Sequence, residues 1–105
     1  MAGDDRLHVE LARSGGLAGL TMAAAVDVDD LPAETAGSVR GALDRVDLAA
    51  LAAVPPTAPS GADRFQYDLT VTRGDDRRSV TLHESQVPPE LRPVLEALMP
   101  LARPR

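Results

Sequence analysis

The sequence predicts an α+β fold in which helices cover one face of a four-stranded antiparallel sheet. Apolar and polar residues alternate in four segments, which is the period of half-buried strands. Two other segments place apolar residues at helical spacing. The predicted strands are residues 6–13, 18–28, 64–73 and 77–84, and the predicted helices are residues 32–46 and 89–101. The resulting order ββαββα describes two β-hairpins, each followed by a helix.

The first hairpin surrounds the stretch HVELARSGGLAGLTM, residues 8–22. Its two alternating runs place one set of apolar residues on the same face: Leu7, Val9, Leu11, Leu20, Met22, Ala24, Val26 and Val28. Ser14-Gly15-Gly16 stands between the runs. Glycine supplies positive φ where a side chain would clash, so the two glycines are predicted to form the tip of the hairpin.

The segment after this hairpin changes to a helical period. Asp30 is predicted to cap the helix, and Pro32 suits its first turn, where a backbone N–H has no helical partner. Asp47 is predicted to cap a further short turn within LAALAAV. The apolar positions of the main helix are Ala36, Val39, Leu43 and Val46. We expect Leu43 to face Tyr67 of the third strand across the interface between helix and sheet.

The second half of the chain repeats the pattern of strand, turn, strand and helix. RGDD, residues 73–76, is predicted to turn the chain between the third and fourth strands. The apolar faces of these strands consist of Phe65, Tyr67, Leu69, Val71, Val80 and Leu82. The apolar stripe of the last helix consists of Leu91, Val94, Leu95 and Leu98. Pro93 conflicts with a helix that starts at Pro88, so this helix either begins nearer Leu91 or kinks.

Length and composition predict one domain over residues 1–105, with a flexible N-terminus at residues 1–5 and an exposed loop at residues 55–63, PPTAPSGAD. The net charge is −5, and this acidic balance without a basic stripe argues against nucleic-acid binding. No segment approaches the roughly 20 apolar residues that span a bilayer. We therefore expect a monomer in the cytoplasm that binds neither nucleic acid nor membrane.

Cysteine and histidine, the usual ligands of structural zinc, are scarce in this chain. The chain has no cysteine, which excludes disulfides and thiol chemistry, and it has only two histidines. His8 and Glu10 lie on the outward face of the first strand, and His83 lies on that of the fourth. If these strands are neighbours, the three side chains form a candidate metal site or proton relay; the alternative is a solvated polar face. We expect no metal and no cofactor.

No motif in the sequence predicts an enzyme. SGG joins strand to strand, whereas phosphate-binding glycine loops open a helix. Ser14 has no histidine nearby in sequence and no nucleophile-elbow context. The tripeptide RGD, residues 73–75, lies in a predicted hairpin turn, so we interpret it as a turn and not as an adhesion motif. We therefore expect a protein that is not an enzyme.

Leu17 is the unusual residue of the first hairpin. Counting from Leu20 and Met22 places Leu17 on the outward face, beside glycines that let another backbone come close. A bulge near Gly16 or Gly19 would instead return the leucine to the core. On the first alternative, Ser14, Gly15, Gly16 and Leu17 form a rigid docking element that presents an apolar anchor.

Three stretches, RSGGLAGL, GADRFQYDLTV and VPPELRPVLEAL, are similar to the emfourin or protealysin inhibitor family. The resemblance runs over about residues 6–101, and the order and spacing of the stretches carry it. It implies a small cytoplasmic inhibitor of thermolysin-like (M4) zinc metalloproteases, with no catalytic residue of its own. Position 17 is commonly aromatic in this family, whereas this chain has leucine.

The resemblance implies stoichiometric occlusion of the protease cleft, with residues 14–17 as the predicted protease-contacting residues. The 55–63 loop and residues 1–5 are the alternative contact surfaces. The alternative function is a non-inhibitory interaction or adaptor module of the same fold, for instance for a secreted enzyme.

Overall fold

The computed structural model of the chain describes residues 6–15, 21–53 and 65–104, and it confirms the α+β class with an antiparallel sheet and helices. The elements, in chain order, are β1 (Leu7–Gly15), β2 (Met22–Asp27), α1 (Ala33–Arg45), α2 (Leu48–Ala53), β3 (Phe65–Arg73), β4 (Asp76–His83), α3 (Arg92–Leu98) and β5 (Arg103–Pro104). Within these ranges the longest helix has 13 residues, and none of the helices could cross a membrane.

The prediction of four strands in the order ββαββα is wrong in two respects. The sheet has five strands, and the described elements follow the order ββααββαβ. The additional strand, β5, pairs Arg103 with Ala23 and Pro104 with Met22. Two residues are too few to show an alternating pattern, and proline, which has no N–H to donate, is found in sheets mainly at an edge.

The strands lie in the order β4-β3-β1-β2-β5, so that β1 is central and bonded to β3 as well as to its hairpin partner. The register places Leu11 between Ala24 of β2 and Leu69 of β3, and Leu69 is in turn opposite Val80. Because paired residues share a face, the four alternating segments meet on one side of the sheet. The prediction of which residues face the core is thus confirmed at the centre of each long strand.

The two hairpins differ in their turns. In the second, Arg73 pairs with Asp76 and the two-residue turn has a positive φ of 61° at Gly74 alone, which is the pattern of a type II′ turn. In the first, the last pair among the described residues is Arg13 with Met22. Strand β2 begins at Met22 and not at residue 18, and residues 18–20 lie outside the described ranges.

The first residues of α1 and α3 differ from one prediction, the cap of α1, and decide between the two alternatives for the start of α3. Asp30 is not the cap of α1: it lies in a 3₁₀ turn at Val28–Asp30, and the residue at the cap position is Pro32. In α3, Pro93 occupies the second helical position after a 3₁₀ turn at Pro89–Leu91. Proline is tolerated in the first turn of a helix, so the helix begins late and does not kink.

The core lies between the sheet and the helices. Among the described residues no polar or charged side chain is buried. The buried cluster draws on the sheet and on both main helices: Leu7, Val9, Leu11, Ala24, Val28, Val39, Ala42, Leu43, Leu69, Val71, Val80, Leu82, Leu91, Val94 and Leu98. Tyr67 is partly buried and packs against this cluster. The direct contact between Leu43 and Tyr67 stays a prediction.

The cap of α2 provides a test of local stability. Asp47 accepts a hydrogen bond from the backbone N–H of Ala50, with 3.1 Å between Oδ1 and the nitrogen. Asp47→Ala removes this bond and should lower the free energy of unfolding by about 0.5–2 kcal/mol. Asp30→Ala is the matched control, because Asp30 is exposed and should change it by less than about 0.5 kcal/mol. Equal losses in urea denaturation would contradict the assignment of the cap.

Candidate functional site

The candidate site begins where β1 extends beyond β2. After the last β1–β2 pair, Ser14 and Gly15 remain in the sheet by pairing with Gln66 and Phe65 of β3. Ser14 is half-buried and Gly15 is exposed. Among the residues described, β1 is thus held from one side only at this end of the sheet.

Gly15 has a φ of 102°, a conformation that residues with a side chain rarely adopt. The predicted positive φ is therefore confirmed at the first of the two glycines. Gly16 and Leu17 lie outside the described residues, and so does the alternative bulge near Gly16 or Gly19. The structure brings Ser14 and Gly15 together at the end of β1, and the contact of residues 14–17 with a partner stays a prediction.

Arg13 and Phe65 form a contact at this end that the sequence analysis missed. The guanidinium carbon of Arg13 lies 4.4 Å from the centroid of the Phe65 ring, which is the geometry of a cation–π interaction. Arg13 continues the inward period of β1 and is opposite Tyr67 in the register. The backbone N–H of Phe65 also donates to Glu84 Oε1 at 3.4 Å. An arginine at an inward position was the one available signal, but its partner is 52 positions away in sequence.

The register also relates the alternative contact segments to the site. Phe65, which follows residues 54–64, is opposite Gly15, so that segment joins the described structure at the same end of the sheet as residues 16–20. Residues 1–5 join it at Arg6, next to the pair Leu7–Arg73 at the opposite end. The two ends of β1 are about 26 Å apart at the usual rise per residue of a strand.

The three residues of the candidate metal site are not brought together. Strand β3 separates β1 from β4, and His83 is opposite Gln66, near the Ser14 end. His8 lies six residues away along β1, or about 20 Å. Instead, His8 Nδ1 is 2.7 Å from Asp27 Oδ1 on β2, and its Nε2 is 3.9 Å from Glu10 Oε2. No group of three metal-binding side chains occurs in the described ranges.

Some of the charged side chains elsewhere on the described surface pair with one another. A depression of about 400 Å³ between the α1–α2 region and the β3–β4 hairpin contains both acids and arginines. There Arg73 pairs with Asp44 at 3.3 Å, and Arg78 pairs with Asp76 at 3.2 Å. The RGD tripeptide is confirmed as part of a turn, with Gly74 donating its N–H to the Arg6 carbonyl at 3.1 Å.

Comparison with known proteins identifies the family. Residues 11–99 match the family model described as Emfourin, which is most of the chain. The chain belongs to the emfourin family. Emfourins are known for protease inhibition, so membership implies a protein partner such as a protease. The matched range begins within β1 and includes residues 14–17. No curated protein and no solved structure matches the chain.

Proposed function

We propose that the protein inhibits a thermolysin-like (M4) zinc metalloprotease by stoichiometric occlusion of the active-site cleft. Residues 14–17 are the element that enters the cleft. The observation that carries this proposal is the end of β1, where Ser14 and Gly15 continue in pairing with β3 after the last β1–β2 pair and lead to residue 16.

Pairing with β3 has an energetic consequence for binding. A protein segment that is already ordered loses less conformational entropy when it binds, and the saved entropy appears as affinity. Ser14 and Gly15 are held by the sheet before any partner arrives. This favours a contact through the β1 end over a contact through residues 1–5, which join the sheet at its opposite end.

The residue types at positions 14–17 suit such a cleft. Thermolysin-like enzymes favour bulky apolar side chains beside the scissile bond, and Leu17 is the anchor that imitates one. Gly15 and Gly16 lack side chains, so they allow the backbone to approach the walls of a narrow cleft. Backbone carbonyls, and not side chains, would then face the metal of the protease. Ligation of that metal by a thiolate of this chain is excluded, because the chain has no cysteine.

This function requires no catalysis by the inhibitor itself. We propose that the protein is not an enzyme and that it acts in the cytoplasm as a monomer before it binds its target. A non-inhibitory adaptor for the same class of protease is the second candidate, because the family match implies a protein partner for either function.

Titration of thermolysin with the purified protein tests the proposal. We expect loss of peptidase activity in proportion to added inhibitor, with an end point near one molecule per enzyme. A small active-site inhibitor, added first, should compete with complex formation, because both occupy the cleft. Binding with full retention of activity would favour the adaptor. Uptake of zinc without any effect on the protease would contradict both candidates.

A further inference from the structure

We propose that Arg13 is a positioning residue for Ser14 and Gly15 at the end of β1, and that it acts through its contact with Phe65. The part of this inference that is tested by protease inhibition rests on the proposed function. Arg13 is the last residue of β1 that has partners on both sides, Met22 of β2 and Tyr67 of β3. It therefore stands directly before Ser14 and Gly15, whose partners among the described residues lie on β3 alone.

The Arg13–Phe65 contact links the two strands at the end where the described part of each one stops. Phe65 is the first residue of β3 and is opposite Gly15, the last residue of β1. The guanidinium of Arg13, two positions earlier in β1, lies over the ring at 4.4 Å. The contact thus runs diagonally across the β1–β3 pair and restrains its terminal residues.

Phe65 is not part of the core that the structure describes. It is half-buried, and it lies outside the core cluster and outside the apolar side chains that pack on that cluster in the described structure. Tyr67, the next residue on the same face, does pack on the core. The guanidinium of Arg13 lies over this ring, so we expect the pair to contribute more to the order of the strand ends than to global stability.

The terminal pairs of a strand open more easily than its centre, so an added contact at the end has a local effect. Loss of a cation–π contact at a partly exposed site corresponds to about a twofold to tenfold change in an equilibrium. We expect Arg13→Ala to increase amide hydrogen exchange at Ser14 and Gln66 by about this factor. Exchange at Glu10 and Thr70, a pair in the centre of the same strands, should stay unchanged.

Inhibition of thermolysin should weaken by a similar factor of about two to ten, while the melting temperature changes little. Arg13→Lys keeps the cation and should restore most of the inhibition. Arg77→Ala is the matched control, because it removes one exposed arginine from β4 at the other end of the sheet. This control should change neither the exchange at Ser14 nor the inhibition.

A double-mutant cycle with Phe65→Leu isolates the contact. The leucine keeps the apolar bulk and removes the aromatic face, so the single variant should resemble Arg13→Ala. The double variant should be no worse than either single one, because both remove the same contact. Additive losses would overturn the inference, and so would exchange at Ser14 equal to that of the Arg77→Ala control.

The exchange measurement needs no protease, which separates this inference from the proposed function. If the unmodified protein fails to inhibit, the proposed function fails and hydrogen exchange alone decides the role of Arg13. A different result would overturn the inference and leave the proposed function standing. In that case the unmodified protein inhibits thermolysin, Leu17→Asp abolishes the inhibition, and Arg13→Ala leaves it unchanged.

Discussion

Leu43→Ala should lower the free energy of unfolding by about 2–5 kcal/mol. Leu43 lies on α1, its exposed fraction is 3%, and it belongs to the buried cluster between helix and sheet. The substitution removes apolar contacts and leaves a cavity that close-packed neighbours fill only in part. A domain of this size is stable by about 5–15 kcal/mol, so the expected loss is a large share of the total.

Leu101→Ala is the matched control for this change. Leu101 lies in the 3₁₀ turn after α3 with an exposed fraction of 48%, so the same substitution there should change the unfolding free energy by less than about 0.5 kcal/mol. Both values follow from urea denaturation monitored by circular dichroism. A change below about half a kcal/mol for Leu43→Ala would mean that α1 packs on the sheet through a different face.

Leu17→Asp should weaken inhibition of thermolysin by tenfold or more. If Leu17 is the anchor, its side chain is buried in the protease, and one such apolar side chain contributes roughly 1.5–3 kcal/mol to binding. A carboxylate would also lose its hydration there without a partner. The melting temperature should stay nearly unchanged, because an outward side chain contributes little to the core.

Ala49→Asp is the control for the added charge, because Ala49 is an exposed residue of α2 and the same acid there should leave inhibition unchanged. Gly16→Val should also weaken inhibition, because a side chain there blocks close approach and would penalise the positive φ that the sequence predicts for this glycine. If Leu17→Asp unfolds the protein, the leucine belongs to the core and a bulge resets the phase of the strand. If both variants fold and inhibit normally, residues 14–17 are only a turn and the 55–63 loop becomes the better candidate.

The predictions from sequence were most accurate where the pattern is local. Alternation placed Leu11, Leu69 and Val80 on the inner face, and the structure pairs them there. Asp47 was correctly predicted as a cap, because its carboxylate accepts a hydrogen bond from a backbone N–H only three residues later, that of Ala50. Asp30 fitted the same rule, but the prediction was wrong, since Asp30 belongs to the 3₁₀ turn at Val28–Asp30 and Pro32 is the cap residue of α1, which begins at Ala33.

The candidate site was predictable only in part for the same reason. The glycine requirement at Gly15 follows from local backbone geometry, and its φ of 102° agrees. The length of the connection does not follow, because the register Arg13–Met22 depends on how the core faces of β1 and β2 align. The contact of Arg13 with Phe65 depends on β3 lying beside β1, and no short-range rule specifies which strands of two hairpins become neighbours.

By itself, the sequence determined the class of fold, the inner face of each long strand and the short helix capped by Asp47, because each depends on residues within a few positions of one another. It also determined the family resemblance, which depends on the order and spacing of three stretches along the chain. Only the tertiary structure decided that β1 is central, that His8 pairs with Asp27 and lies far from His83, and that Arg103–Pro104 add a fifth strand. These features bring together residues from distant parts of the chain. They are selected by the burial of the whole apolar face at once, which is a property of the assembled core and of no single segment.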